Sequence, residues 1–518
     1  MGDTGKASIR LREFYKGKNI FITGASGFLG ICLLEKILRC VPHHGNIYLL
    51  LRPKKGKDIA ERLEEIKKNQ VFEKVLEDRS VEEVFEKVKV VAGDVAQDNL
   101  GLSAGDRKLL TDCVNIIIHC AATLDFGDTL KTTVDINLLG TRRITQLAKD
   151  CSKLNALVHV SSAYVNSWRL HAEEVIYPLP NKMDAEELIS LVNKLSPEDL
   201  DKQTPDILGE HPNTYTITKH LAELEVQKME KLFPCTIVRP SMIVGSWKEP
   251  VPGWTISKNG PQGFFMGASK GVIRRLPVAS RLIYDYIPVD IVVNNMLAAG
   301  YYAGVTKPKV VTIFHATTST RNPFRWYSVE DRINDYLHMF PLQSAIWYPH
   351  LKLLPSITWY KISAFFVHIL PAILLDMVLR VTGGRPILMK LHGNVNTSLN
   401  RLEKFIFTEW KFVARKTADL QDWMVGDDQN TFTVEVATLV WHEYFKDLTR
   451  GSRIYLSKDP IKTLNSAKTK DQILHGVHLL WQTLVFLLFW YLYACMLGTT
   501  LYGCIYFIPV FFLLYNLL

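Results

Sequence analysis

From residue 18 to about 240, short runs of aliphatic and β-branched residues alternate with longer segments that carry an apolar residue every three or four positions. The first kind of run reads as a strand buried on both faces, and the second as a helix laid on a sheet. The predicted strands are "NIFIT", "NIYLLL", "VKVVA", "VNIIIH", "ALVHVS" and "CTIVR"; "DIAERLEEIKKNQVFEKVLE" and "VDINLLGTRRITQLAKDC" are helices between them. Strand and crossover helix in alternation predict an α/β fold with a doubly wound, Rossmann-like parallel sheet. From about 241 to 355 the pattern loosens into Pro- and Gly-rich loops such as "KEPVPGW" and "NGPQGFF", which suit a substrate-binding lobe. From 356 to 470, "RLEKFIFTEWKF" and "EVATLVWHEYFKDL" predict a smaller helical domain. The expected organisation is therefore a reductase-like unit over 14–355, a helical domain over 356–470 and a final segment over 472–518.

That final segment breaks with everything before it. After Asp471 the chain carries no Asp, Glu, Lys or Arg through Leu518. A bilayer core needs about 20 apolar residues per helix, so Val477 to Leu497 reads as one membrane span, "GTTLYG" as a turn, and Leu501 to Leu518 as a shorter second span. Arg450, Arg453, Lys458, Lys462, Lys468 and Lys470 precede it, a bias that keeps the preceding domains on the cytosolic side. A second apolar stretch, "ISAFFVHILPAILL" at 362–375, is too short to span and reads as a buried or interfacial helix with a kink at Pro371. His368 within it reads as a satisfied core residue rather than a ligand.

Composition adds limits. A chain of 518 residues exceeds one ordinary core. Its net charge of +9, from 61 Lys and Arg against 52 Asp and Glu, is dispersed without a basic tract, so nucleic acid is not an expected partner. The eight cysteines form no C-x-x-C pair and no Cys/His cluster of metal spacing, which predicts unpaired thiols and no metal site. The N-terminus has no apolar core of signal-peptide length, so the first domain is not expected to be secreted.

Candidate chemistry begins at "FITGASGFLG". Gly24, Gly27 and Gly30 stand three apart where the strand "NIFIT" passes into the helical run "FLGICLLEKIL". Glycine lets the backbone turn tightly and approach a pyrophosphate, while open amides at the helix start favour its charge. Thr23, Gly24, Ser26, Gly27, Phe28 and Gly30 are accordingly candidate cofactor-binding residues, although a turn serving packing alone has the same spacing. After the next strand stands Arg52, where NAD-preferring proteins tend to place an acid. A guanidinium suits a 2′-phosphate, so NADPH is expected rather than NADH. Lys54, Lys55 and Lys57 are auxiliary or simply solvated. Asp94, in "VAGDV", either meets the adenine or caps a helix.

Two further stretches supply hydride-transfer chemistry. "HVSSAY" ends the fifth predicted strand and "YTITK" opens a helix, so that Tyr215 and Lys219, four apart, share one face. A tyrosine titrates near 10 unless adjacent positive charge favours the phenolate, and Lys219 provides such charge. Ser162, at the strand's carboxyl end, can hydrogen-bond the same substrate oxygen. Cys120 is a rival nucleophile, but at the end of an apolar strand it reads as packing.

These residues resemble the extended short-chain dehydrogenase/reductase superfamily and, within it, the alcohol-forming fatty acyl-CoA reductases. The match is carried by "TGASGFLG", "HCAAT", "HVSSAYVN", "PNTYTITK", "VRPSMIV", "EPVPGW", "NGPQG" and "YIPVDIVVN", over roughly residues 14 to 460. The resemblance implies reduction of a long-chain fatty acyl-CoA to a primary alcohol, a precursor for wax or ether lipids. It implies two NADPH, a retained aldehyde, a hydrophobic C-terminal anchor, and Ser162, Tyr215 and Lys219 as catalytic residues. The implied location is the membrane of the endoplasmic reticulum or peroxisome. Two positions depart from that pattern: Ser162 stands where threonine is usual, and Leu124 and Asp125 precede Phe126 where a basic residue is frequent. Other readings of the same core are a membrane-bound hydroxysteroid dehydrogenase, a nucleotide-sugar epimerase, or an NADPH-binding membrane scaffold without turnover.

Overall fold

The computed structural model describes residues 6–54 and 56–517; Lys55, expected near Arg52, lies outside them. Seven strands form one parallel sheet: β1 (Ile20–Thr23), β2 (Ile47–Leu51), β3 (Val88–Ala92), β4 (Ile116–His119), β5 (Ala156–Val160), β6 (Cys235–Pro240) and β7 (Thr312–Ala316). Their order across the sheet is β7-β6-β5-β4-β1-β2-β3. In register, Ile20 of β1 lies beside Ile47 of β2 and Ile116 of β4, which sets the carboxyl ends of these three strands side by side. The order reverses between β1 and β4, and in such sheets the crevice at that point receives ligands.

All six strands expected from the sequence are present. β1, β2, β4, β5 and β6 are buried at every position, whereas β3, at an edge, alternates buried and open residues. β7 was not expected. It too is buried throughout, because a later segment covers the other edge: Thr417 donates to the His315 carbonyl at 2.9 Å, and His315 Nδ1 meets the Val413 carbonyl at 2.7 Å. A covered edge leaves no backbone row to template another strand.

By packing, the chain divides into two compact units that are not consecutive in sequence. The first comprises Met1–Ser257, Ile283–Phe324 and Glu409–Tyr444; the second comprises Lys258–Leu282, Arg325–Thr408 and Phe445–Leu518. This division does not follow the boundary expected at 355/356, because residues 409–444 pair and pack within the first unit. "RLEKFIFTEWKF" is correspondingly not one helix: the helix Leu388–Ile406 stops, and Lys411–Phe412 pairs in parallel with His171–Ala172. Trp410 donates to the Ser167 carbonyl at 3.0 Å alongside that pairing.

The first unit holds a fully buried ion pair. Arg239, on β6, donates in a fork to both Glu223 oxygens at 2.8 and 2.6 Å, and both side chains are excluded from solvent. His315 of β7 stands 3.3 Å from the same guanidinium.

In the second unit, the short strand Arg275–Pro277 pairs in parallel with Lys352–Leu354. The apolar stretch at 362–375 proves to be the middle of a longer helix, Ile357–Val381, 25 residues and apolar enough to cross a membrane. It is not a buried helix, since Phe365, Phe366, Leu374 and Val378 are exposed. Pro371 is accommodated by a π turn just before it, Phe365–Ile369. The tail forms a helix of 33 residues, Leu464–Met496, and a second of only 11, Phe507–Leu517. They fold back on each other: Phe486 meets Phe511 at 5.0 Å and Tyr493 meets Phe507 at 5.0 Å. The shorter helix, at about 1.5 Å per residue, is about half as long as a bilayer core is thick.

Removing one member of a buried ion pair is costly, about 3–5 kcal/mol, because the other charge is stranded. Arg239→Met should therefore lower the thermal unfolding midpoint sharply, and adding Glu223→Gln to it should restore much of the loss. A loss in the double variant equal to the sum of the losses of Arg239→Met and Glu223→Gln alone would show that the two charges are not coupled.

Candidate active site

The glycine turn is shaped by contacts that no larger residue could make. Gly24 follows β1 with φ +74°, and a Cβ there would stand 2.8 Å from the Ala121 amide nitrogen. At Gly30 a Cβ would stand 2.3 Å from the Gly24 carbonyl oxygen. The helix Phe28–Cys40 then starts at Gly27 with no side-chain cap and no acid in its first turn. An uncapped helix start at the switch point of a parallel sheet is suited to an anion, and the close backbone packing admits one against the main chain. Thr23, at the end of β1, takes a hydrogen bond from the Ala121 amide at 3.2 Å and meets His119 Nδ1 at 2.7 Å. His119 also reaches Thr141 at 3.1 Å, and burial, then Lys219, pushes its pKa down to about 3, so it stays neutral.

Beside this turn stand two arginines. Arg52, half exposed after β2, donates to Asp94 at 2.8 Å. Asp94 also accepts from the Ala96 amide at 3.0 Å, so it organises its own turn as well as holding Arg52. Arg62 donates to the Arg52 carbonyl at 2.5 Å and to Ser26 in the glycine turn at 2.7 Å. It lies on the helix Ile59–Lys67, whose entry is set by a capping box between Asp58 and Glu61. Sequence reasoning missed Arg62; the available signal was its place in the first turn of a capped helix directly after the Arg52 loop. Lys57 is engaged by Glu65.

Ser162, Tyr215 and Lys219 come together at the carboxyl end of β5. Asn213 caps the helix Thr214–Gln227 by accepting from the Thr216 amide at 2.9 Å. Burial pushes the Tyr215 phenol up to about 12, and the neighbouring Ser162 hydroxyl acts against it. The phenol is therefore a protonated donor at neutral pH. One turn on, Lys219 is buried and donates to the Val160 carbonyl at 2.6 Å. Burial pulls its pKa down to about 8, against Glu223 and Cys120, which raise it. Burial pushes the Cys120 thiol up to about 12, which disfavours a thiolate nucleophile there.

Further groups hold the loops around this constellation, and of these Asn137 and Asp290 escaped the sequence. Asn137 sits in a π turn, Val134–Leu138; it accepts from the Thr123 amide at 3.0 Å and donates to Thr218 at 3.3 Å, tying the loop after β4 to the helix of Tyr215. From that loop, the Phe126 ring stands 5.9 Å from Tyr215. Asp290, buried, receives the amides of Trp247, Lys248 and Glu249 at 2.9, 2.8 and 3.1 Å. It thus fixes the loop of "EPVPGW", whose Trp254 stacks on Phe28 at 5.6 Å. Among the described residues no group of three or more His, Cys, Asp or Glu is placed to hold a metal ion.

The close glycine turn and the open helix start fit the pyrophosphate of a nicotinamide dinucleotide. Family profiles described as male sterility protein match this chain, an NAD-binding one over residues 22–296 and a second over 367–459. The "Putative fatty acyl-CoA reductase CG8306" of Drosophila melanogaster is 49% identical over 522 residues, covering 99% of this chain and 100% of that protein. "Fatty acyl-CoA reductase 1" of Rattus norvegicus is 34% identical, covering 93% of each chain, and "Fatty acyl-CoA reductase 2" of Mus musculus is 36% identical, covering 93% and 92%. Among solved structures, the reductase domain of a non-ribosomal peptide synthetase from Mycobacterium tuberculosis aligns with TM-score 0.54 at 17% identity, covering 88% of this chain and 94% of that one. The terminal R domain of the myxalamid pathway aligns with TM-score 0.52 at 19% identity, covering the same shares, 88% and 94%. Both share the fold.

With its pKa near 8 rather than 10.5, Lys219 carries its charge below pH 8 and loses it above. Binding of NADPH, followed by the cofactor's fluorescence, should weaken as pH rises past 8, by about tenfold per unit where one proton is linked. Lys219→Arg, which stays charged, should flatten that profile. A flat profile in the unsubstituted protein would remove Lys219 from the binding site.

Proposed function

Since this chain belongs to the fatty acyl-CoA reductase family, we propose that it reduces long-chain fatty acyl-CoA to the primary alcohol with NADPH, through an aldehyde kept at the site. The observation that carries this reading is buried Lys219, one helical turn from Tyr215, with its amine on the Val160 carbonyl at the end of β5. Gly24, Gly27 and Gly30 would hold the pyrophosphate together with Thr23, Ser26 and Phe28. Arg52 and Arg62 would hold the 2′-phosphate, and Asp94 would orient Arg52. When bound, the nicotinamide would supply hydride to the carbonyl carbon, one NADPH serving the thioester and a second serving the aldehyde.

The chain's own residues do the rest. As negative charge develops on the thioester oxygen, Tyr215 and Ser162 donate hydrogen bonds to it, an arrangement worth most where water is excluded. Collapse of the tetrahedral adduct restores the carbonyl and expels CoA as its thiolate. In the second round the same two groups receive the aldehyde oxygen, and Tyr215 gives its proton to the alkoxide. Lys219, held by the Val160 carbonyl, stabilises the resulting phenolate until a solvent proton replaces the one lost. The neutral histidine beneath, His119, adds no competing charge.

We further assign the tail, Leu464–Met496 with its returning helix, as a membrane anchor that leaves the reductase fold in the cytosol, on endoplasmic reticulum or peroxisome. The six basic residues between Arg450 and Lys470 support that side.

Purified protein given NADPH and acyl-CoAs of increasing length should yield primary alcohols. Tyr215→Phe should keep the cofactor bound while alcohol formation falls by about a hundredfold or more, the scale of losing a general acid; near-normal turnover would refute the role. Arg52→Asp should narrow the preference for NADPH over NADH, because an anion replaces a cation at the 2′-phosphate. An unchanged ratio would leave Arg62 as the sole discriminating group.

A further inference from the structure

We propose that the helical hairpin of the second unit, Ile357–Val381 with Leu388–Ile406, is a lipid-embedded surface, seated in one leaflet of a bilayer and separate from the tail. Its polarity is the reverse of a soluble helix pair. Tyr360, Ser363, His368 and Asp376 of the first helix point inward and are satisfied there, while Thr358 and Lys361 lie exposed at its start. Tyr360 donates to Asn396 at 3.0 Å, Ser363 accepts from Arg275 at 3.1 Å, and His368 accepts from the Arg274 and Arg275 amides at 2.9 and 3.1 Å. Asp376 receives the amides of Leu388 and Met389 at 3.1 and 2.9 Å, closing the turn between the helices. The His368 and His392 rings stack at 5.0 Å along the seam. The outer face carries Phe365, Phe366, Leu374, Met377, Val378 and Val381, all exposed, Val381 by 89%. Hydrocarbon is the solvent for which such a distribution costs nothing, whereas in water it would be a large apolar patch.

Charge and topology choose the mode. Arg380, Arg385, Lys390 and Arg401 are exposed, and no acid occurs between Asp376 and Glu403, so the rim suits anionic headgroups. The 25 residues of the first helix could cross a bilayer, but the second helix, which follows after a short turn and packs back on it, carries Lys390, Asn394, Arg401 and Lys404 and could not return through hydrocarbon. The hairpin therefore enters and leaves on one face. It differs in this from the tail, whose helix Leu464–Met496 carries no charge after Asp471.

The test is photolabelling of the full-length protein in vesicles of phosphatidylcholine and phosphatidylserine doped with a phospholipid bearing a diazirine on its acyl chain. Peptides covering 357–381 should be labelled about tenfold or more above peptides of β4 and β5, as expected of a face immersed in acyl chains. Leu374→Lys with Val378→Lys should reduce that labelling to background while labelling of 464–496 and reduction of a short, water-soluble acyl-CoA persist. Labelling confined to 464–496, cross-links from 357–381 to a second copy instead of lipid, or labelling indifferent to the two lysines would each overturn the proposal. Labelling of 357–381 without the tail would sustain it and instead remove the tail from the anchoring role.

Discussion

A charged amine buried at the end of a β-strand is the constraint around which the first unit is arranged. Lys219 has lost its water, and desolvation pulls its pKa down. Two features oppose this. The Val160 carbonyl, at the strand's end, accepts a hydrogen bond from it, and Glu223, one turn further along the same helix, supplies negative charge. Glu223 is itself buried and would be intolerable without Arg239, which is anchored on β6 and faces His315 on β7. The electrostatics of the proposed site thus reach three strands into the sheet, and the helix carrying Tyr215 is clamped to that sheet by charge as well as by packing.

Much of this was legible from pattern because burial on both faces writes an unbroken apolar run. That is why β1, β2, β4, β5 and β6 were found, while the edge strand β3 was marked by its β-branched run. β7 was hidden: "TIFHA" places a histidine at a core position, tolerable only because Val413 and Thr417, about a hundred positions later, meet His315. Tertiary pairing likewise overrode propensity at Lys411–Phe412, where an apparently helical run becomes a strand beside His171. In the proposed site, Tyr215 and Lys219 were readable from helical spacing and Ser162 from its strand end, with their joint role implied by the family resemblance. Arg62, Asn137, Asp290 and Trp254 were not. Their roles depend on the approach of loops from different elements, and the π turn that aims Asn137 leaves no periodic trace.

The two units solve opposite solvation problems with the same chemistry. Around the sheet, ion pairs and histidines are taken inside, and Arg239, His119 and His315 are answered there by partners. In the hairpin, polar groups are also taken inside, but what they leave outside is hydrocarbon rather than charge. An acyl-CoA has the same two natures, a water-soluble nucleotide and an apolar chain, and a protein that handles it must present surfaces to both.

The interleaving of the two units bears on how the chain is made. Tyr444 donates to the Gly245 carbonyl at 2.7 Å, and Val413 covers the β7 edge, so the first unit lacks parts until those residues have left the ribosome. The apolar helix Ile357–Val381 emerges before either. During synthesis, an unfinished sheet with an open edge coexists with an exposed greasy helix, the combination most prone to aggregation in nascent chains. Early capture of that helix by a membrane or a chaperone would let the sheet close in its own time, which makes the order of emergence, and not only the finished contacts, part of what the sequence has to encode.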